Sequence, residues 1–188
     1  MKMFIAAAAL LVASAAHASV TTYFTSFEPE GGGLRSGTGS ATATFDDVSN
    51  VFTFSAVFSG LSGVTTQAHF HCCTAVPFLG SAGVAVDTPT LPIPLGVSAG
   101  SFGASLDLDD ASNFNPAFIT ASSGNLGLAI ARFKAGLDNG QTYLNIHTNT
   151  FTGGEIRGFM RVPEPASAAL ALVALAALGA FGGRQRRS

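Results

Sequence analysis

Val51-Phe52-Thr53-Phe54-Ser55-Ala56-Val57-Phe58 alternates without a break: Phe52, Phe54, Ala56 and Phe58 fall on one face of an extended chain, and smaller or polar residues on the other. A period of two over this length is the mark of a strand with one buried face. Reading upstream, Val20–Ser26 (VTTYFTS) and Ser40–Phe45 (SATATF) are further strands, divided by the Pro/Gly-rich turn Glu28–Gly39. Downstream, Thr65–Cys72, Ser101–Leu108, Gln141–Thr148 and Glu155–Val162 have the same character. Sixteen Phe and 22 Gly favour strands punctuated by turns over helices. The exception is Ser123–Gly136, where Leu126, Ala129, Ile130 and Phe133 form one helical stripe. Ser123 is placed to cap that helix and Gly136 to end it. The expected fold is therefore mainly β: an antiparallel β-sandwich of about seven or eight strands with one short helix in a connection. Between Cys73 and Ala99 four prolines (Pro77, Pro89, Pro92 and Pro94) argue against a central strand.

Both ends of the 188-residue chain read as address labels. Met1–Ala18 has Lys2, a short apolar run and the small-residue ending Ala16-His17-Ala18, which is the pattern of a secretory signal helix cleaved between Ala18 and Ser19. At the other end Val162-Pro163-Glu164-Pro165 precedes an uncharged segment, 166–183, and then Arg184-Gln185-Arg186-Arg187. As a helix, 166–183 would be about 27 Å long, just enough to span a bilayer with the arginines held on the cytoplasmic side. The expected organisation is a signal peptide at 1–18, a β domain at 19–161 and a C-terminal segment at 162–188 containing the hydrophobic helix.

Between Ser19 and Arg161 five bases face ten acids. An acidic domain without a basic patch is not built for nucleic acid. Its only cysteines, Cys72 and Cys73, are adjacent. In an oxidising compartment they can pair with each other or with another molecule, and a vicinal bridge closes no loop. The domain must therefore be held by its core.

Its three histidines occupy two short runs, Ala68-His69-Phe70-His71-Cys72-Cys73 and Tyr143-Leu144-Asn145-Ile146-His147-Thr148. On strands, His69, His71 and Cys73 share one face, while Ala68, Phe70 and Cys72 share the other. Tyr143, Asn145 and His147 similarly oppose Leu144 and Ile146. If the two strands are neighbours, the imidazoles meet. Three imidazoles, with Cys73 as a fourth candidate, suit a single Zn or Cu ion. The competing reading is that the histidines hydrogen-bond across the strands, or to Asn145, and fix the register. No Gly-x-Ser-x-Gly nucleophile motif is present. The Asp107-Leu108-Asp109-Asp110 run lacks the spacing of a calcium loop and reads as a solvated turn. Glu155 and Arg157 fall on one side of the last strand, where a surface ion pair is expected.

The Pro163-Glu164-Pro165 motif, hydrophobic segment and basic tail (Arg184, Arg186, Arg187) resemble the PEP-CTERM sorting signal of Gram-negative bacteria. That resemblance implies secretion machinery and an exosortase-like enzyme as partners. It also implies an inner-membrane-anchored precursor and a final place in the cell envelope or outside the cell. The His69-Phe70-His71 run, Tyr143–Thr148 and Gly153-Gly154-Glu155-Ile156-Arg157-Gly158 resemble the CHRD domain over about Val51–Val162. Cys72-Cys73 stand where a Gly usually follows the second His. The His-x-His strand is also locally similar to the copper-ligand strand of Cu/Zn superoxide dismutase. The expected function is a non-enzymatic, exported binding or assembly module, with exopolysaccharide or other envelope proteins as candidate partners. The alternative is a mononuclear Zn or Cu protein, redox-active or not, that uses His69, His71 and His147.

Overall fold

The computed structural model of the protein describes residues 20–87 and 91–163. The expected signal peptide, the Ala18/Ser19 junction, Glu164, Pro165, the 166–183 helix and Arg184, Arg186 and Arg187 lie outside the described residues. Among the described residues no helix is long and apolar enough to cross a membrane.

The alternating phenylalanines do what their spacing requires. Phe52, Phe54, Ala56 and Phe58 of β3 (Val51–Ser59) are all buried. Opposite them in register, Phe45, Ala43 and Ala41 of β2 (Thr38–Asp46) continue the same apolar sheet. With β1 (Val20–Pro29), β4 (Thr65–His71), β5 (Val84–Val86), β6 (Gly100–Asp107), β7 (Tyr143–Thr148) and β8 (Ile156–Phe159), these strands form one eight-stranded antiparallel sheet. Its order is β5-β4-β7-β8-β1-β2-β3-β6.

The sheet is curled. Phe70 of β4 lies edge-on to Phe52 and Phe54 of β3, with ring centroids 5.1 and 5.2 Å apart. In the sheet order four strands intervene between β4 and β3. Contact between strands so far apart requires the two halves to face one another across the core. The expected sandwich is thus corrected: the facing layers are continuous through the ten-residue β1, which pairs with β2 along most of its length and with β8 at Glu28–Arg157 and Pro29–Ile156. Alternation tells which side of a strand is buried, not which strand lies beside it.

A helical segment closes the curl. The expected helix is α2 (Leu126–Asp138), and it is not alone: a 3-10 turn at Ala111–Asn113 and α1 (Pro116–Ala121) precede it. Asn115 and Asn125 cap the two helices by accepting hydrogen bonds from the amides of Ala117 and Leu128. Ser123 is not a cap; it takes a left-handed backbone with φ 60° in the link between the helices. From α2, Phe133 packs edge-on against Phe52 and Phe70. Gly136 is needed where α2 meets the end of β4: a side-chain carbon there would stand 2.4 Å from Cys72 Sγ. Tyr23 Oη donates to Asp138 Oδ1 at 2.6 Å, which ties the end of α2 to β1.

Candidate metal centre

The register between β4 and β7 sets the site. His69 stands opposite Asn145, His71 opposite Tyr143 and Gln67 opposite His147. Ala68, Phe70, Leu144 and Ile146 belong to the core, so the imidazoles are turned to the other face. That face is covered as well: every residue of β7 is buried. The segment after β4 reaches this face through Ala82 and Asp87.

His69, His71 and His147 each offer a ring nitrogen, and these atoms all lie within 4.8 Å of one another. His69 Nδ1 is 3.0 Å from His147 Nε2. His71 Nε2 and His147 Nε2 are each 3.1 Å from Asn145 Oδ1. The outer ring nitrogens face groups that can only accept. His69 Nε2 lies 3.0 Å from Asp87 Oδ1, His71 Nδ1 2.9 Å from the Ala82 carbonyl and His147 Nδ1 2.7 Å from the Thr152 carbonyl. The outer nitrogens must therefore carry the hydrogens, and in a neutral imidazole the inner nitrogen is then a bare lone pair. Asn145 is oriented by the same logic: its amide NH₂ donates to Glu30 Oε2 at 3.3 Å, which turns Oδ1 toward the histidines. Asp87 is held in turn by Asn115 Nδ2 at 3.1 Å.

Four electron-pair donors thus converge with no proton between them in the neutral state. Two of the three imidazoles resist protonation. Burial, reinforced by the neighbouring His147, pushes His69 down to about 4, against the pull of Asp87. Burial also lowers His71, whose ring stacks on Tyr143 at 4.7 Å and 1°. Bare lone pairs 3.0 Å apart repel, and a cation coordinated by both removes the repulsion. Imidazoles held by carbonyl or carboxylate partners on their far nitrogens are the usual arrangement around zinc and copper.

Cys73 does not join the group. It is disulfide-bonded to Cys72, and its Sγ lies 3.4 Å from the Arg132 carbonyl oxygen of α2. β4 ends at His71, so alternation no longer governs where Cys73 points. Asn145 Oδ1 takes the fourth place near the three imidazoles. Its presence on the histidine face was legible in the sequence. Glu30, Asp87 and the carbonyls of Ala82 and Thr152 carried no sequence signal, because only the tertiary fold brings them in.

The model of the CHRD domain family matches residues 25–160, from within β1 to the residue after β8. The chain belongs to the CHRD domain family. The PEP-CTERM protein-sorting motif matches residues 161–187, which marks the chain as an exported, exosortase-sorted protein of the envelope or extracellular space. No curated protein and no solved structure matches the chain.

In this CHRD domain the Gly153–Gly158 run serves both the site and the corner beside it. Gly154, at φ 119°, is needed because a side-chain carbon there would fall 2.0 Å from Glu30 Oε2, the group that orients Asn145. Arg157 pairs with Glu30 at 3.3 Å rather than with Glu155. The expected surface pair is corrected, because Glu155 lies just before β8 and is fully buried. There it accepts from the backbone amides of Ser62 and Gly63 and the hydroxyls of Ser62 and Thr148. Burial works to raise its pKa, but these donors outweigh it and hold the carboxyl below the usual glutamate range.

Proposed function

We propose that this exported CHRD domain holds one Zn or Cu ion between β4 and β7, with His69 Nδ1, His71 Nε2 and His147 Nε2 as ligands and Asn145 Oδ1 turned to the same point. The observation that carries the reading is the pattern of outer contacts: each imidazole donates away from the cluster, so three lone pairs face inward. His69 and His147 are 6 % and 7 % exposed, which supports holding a metal rather than processing a substrate at it. On this reading the signal segment 1–18 is removed on export. The exosortase-type system acts at Pro163-Glu164-Pro165, and the 166–183 segment with Arg184, Arg186 and Arg187 retains the precursor at the inner membrane until then.

The test is metal content after purification from medium containing both zinc and copper. One equivalent of either is expected in the native protein, and His69→Ala and His147→Ala should each lose it while keeping the β-rich circular dichroism spectrum. Copper would make the centre redox-active and zinc would not. A native protein with no bound metal, whose histidine variants lose only thermal stability, would leave the histidines as register-setting hydrogen bonds in an assembly module.

A further inference from the structure

A second candidate site lies on the far side of Arg157, alongside β1 and β8. The two strands bridge at Phe24–Arg161 and again at Glu28–Arg157. In that register Ser26 would oppose Phe159, but the ladder lapses between the two bridges. An open groove of about 510 Å³ lies alongside this stretch, lined among others by Phe24, Ser26, Phe78, Phe159 and Arg161. A second hollow of about 400 Å³ continues from it past Phe24, Phe78 and Arg161 toward Gly140 and Pro163. Both volumes are in the range of small-molecule sites.

Phe78 stands between the two hollows, and its backbone is unusual. Val76–Leu79 is a tight turn, closed by the Leu79 amide donating to the Val76 carbonyl. Pro77 takes its second position, and Phe78 its third with φ 59°. That place belongs to Gly or Asn, and a bulky side chain there is a marked outlier. Yet the ring is not used to fill the core: Phe78 is 45 % exposed. The Arg161 guanidinium lies 4.5 Å from the ring centroid, and Phe159 meets the ring edge-on at 6.3 Å. Phe24, on the other rim, is 43 % exposed. Strain retained to display an aromatic ring is a reason to look for a ligand.

We infer that this groove binds a glycan chain. Sugar rings present apolar C–H faces to the Phe78 and Phe24 rings, and their hydroxyls both donate and accept. The Ser26 side chain offers a hydroxyl, and Arg161 offers donors. The charges lining the groove are mixed, since Glu28 accompanies Arg157 and Arg161, so the recognition rests on rings and hydroxyls before charge. Two hollows sharing the Phe24 and Phe78 rings suit consecutive units of a polymer. This inference does not depend on the metal centre.

Calorimetric titration of the full-length protein with cellohexaose, dextran oligomers and alginate oligomers tests it. Saturable binding of at least one probe is expected, with a Kd between micromolar and millimolar. Phe78→Gly should weaken that binding at least tenfold while the melting temperature holds or rises, because glycine relieves the turn. Arg161→Gln should weaken it as well, and most for alginate if a uronate carboxylate is bound, in which case binding also falls with salt. Metal content should be unchanged in both variants. The inference is overturned if no probe binds, if both variants bind as the native protein does, or if a peptide of residues 162–167 binds the groove in place of the sugars.

Discussion

Asn145 and Glu155 show how a single polar side chain can be buried for opposite purposes. Asn145, 2 % exposed, turns an acceptor toward two ring nitrogens that have no hydrogen to give. A cation seated among them would make that arrangement favourable. Asn145→Ala should lower metal affinity about 10- to 100-fold, the range for groups that support a metal site, and competition with a chelator measures it. Loss of thermal stability with unchanged affinity would make Asn145 a strand-pairing residue only. Glu155, by contrast, is an ionised group that is fully satisfied by its neighbours. Its folded pKa is depressed, so its contribution is present above the ordinary glutamate pKa and is lost as pH falls through the folded value. Glu155→Gln should cost about 2–3 kcal/mol at neutral pH, the penalty for weakening charged hydrogen bonds in a buried site. The gap to the native protein should narrow as pH is lowered through the acid range. Urea titrations at several pH values show whether it does, and a constant gap would place the cost in packing instead.

Among the elements, β4, β7 and α2 decide whether the site exists. The faces of β4 and β7 were readable from alternation alone, because Phe70, Leu144 and Ile146 must go inward and their neighbours then go outward. What alternation could not give was the cover over the outward face, since Ala82, Asp87 and Glu30 reach it from other parts of the chain. The helix stripe Leu126, Ala129, Ile130 and Phe133 was equally legible, but its ends were not: Asn125, not Ser123, has the extended backbone that lets a side chain cap the first turn, and the helix runs past Gly136 to Asp138. Phe133 joins α2 to Phe52 and Phe70, and Phe133→Ala should destabilise the domain by about 3–5 kcal/mol. A loss of under 1 kcal/mol in denaturant unfolding would mean that α2 is not docked as described. The Cys72–Cys73 disulfide closes no loop, so it constrains the unfolded chain little. Mild reduction should add two daltons and shift the melting temperature by only a few degrees.

For the whole molecule, a sandwich and a curled sheet share the same buried faces and differ only in which strands are neighbours. β1 makes the difference, because it is long enough to pair with β2 along one edge and with β8 near its end. Nothing in the local pattern of Val20–Pro29 announces two partners. The curl sets the two proposed sites on opposite sides of β8: the histidines beyond β7, and the aromatic groove at the β1 seam. Arg157 reaches toward both, pairing with Glu30 beneath Asn145 and standing at the wall of the groove. A metal bound only to the folded domain must also stabilise it. At a free metal concentration 100 times Kd the gain is about 2.7 kcal/mol, visible as a higher melting temperature that a chelator reverses.

The most direct test is anomalous diffraction from crystals of the native protein at the zinc and copper absorption edges. The expected result is one peak about 2.0–2.1 Å from His69 Nδ1, His71 Nε2 and His147 Nε2 together, with the outer nitrogens still facing Asp87, Ala82 and Thr152. Crystals grown with saturating zinc or copper that show no peak there, or a peak at the outer nitrogens, would contradict the account.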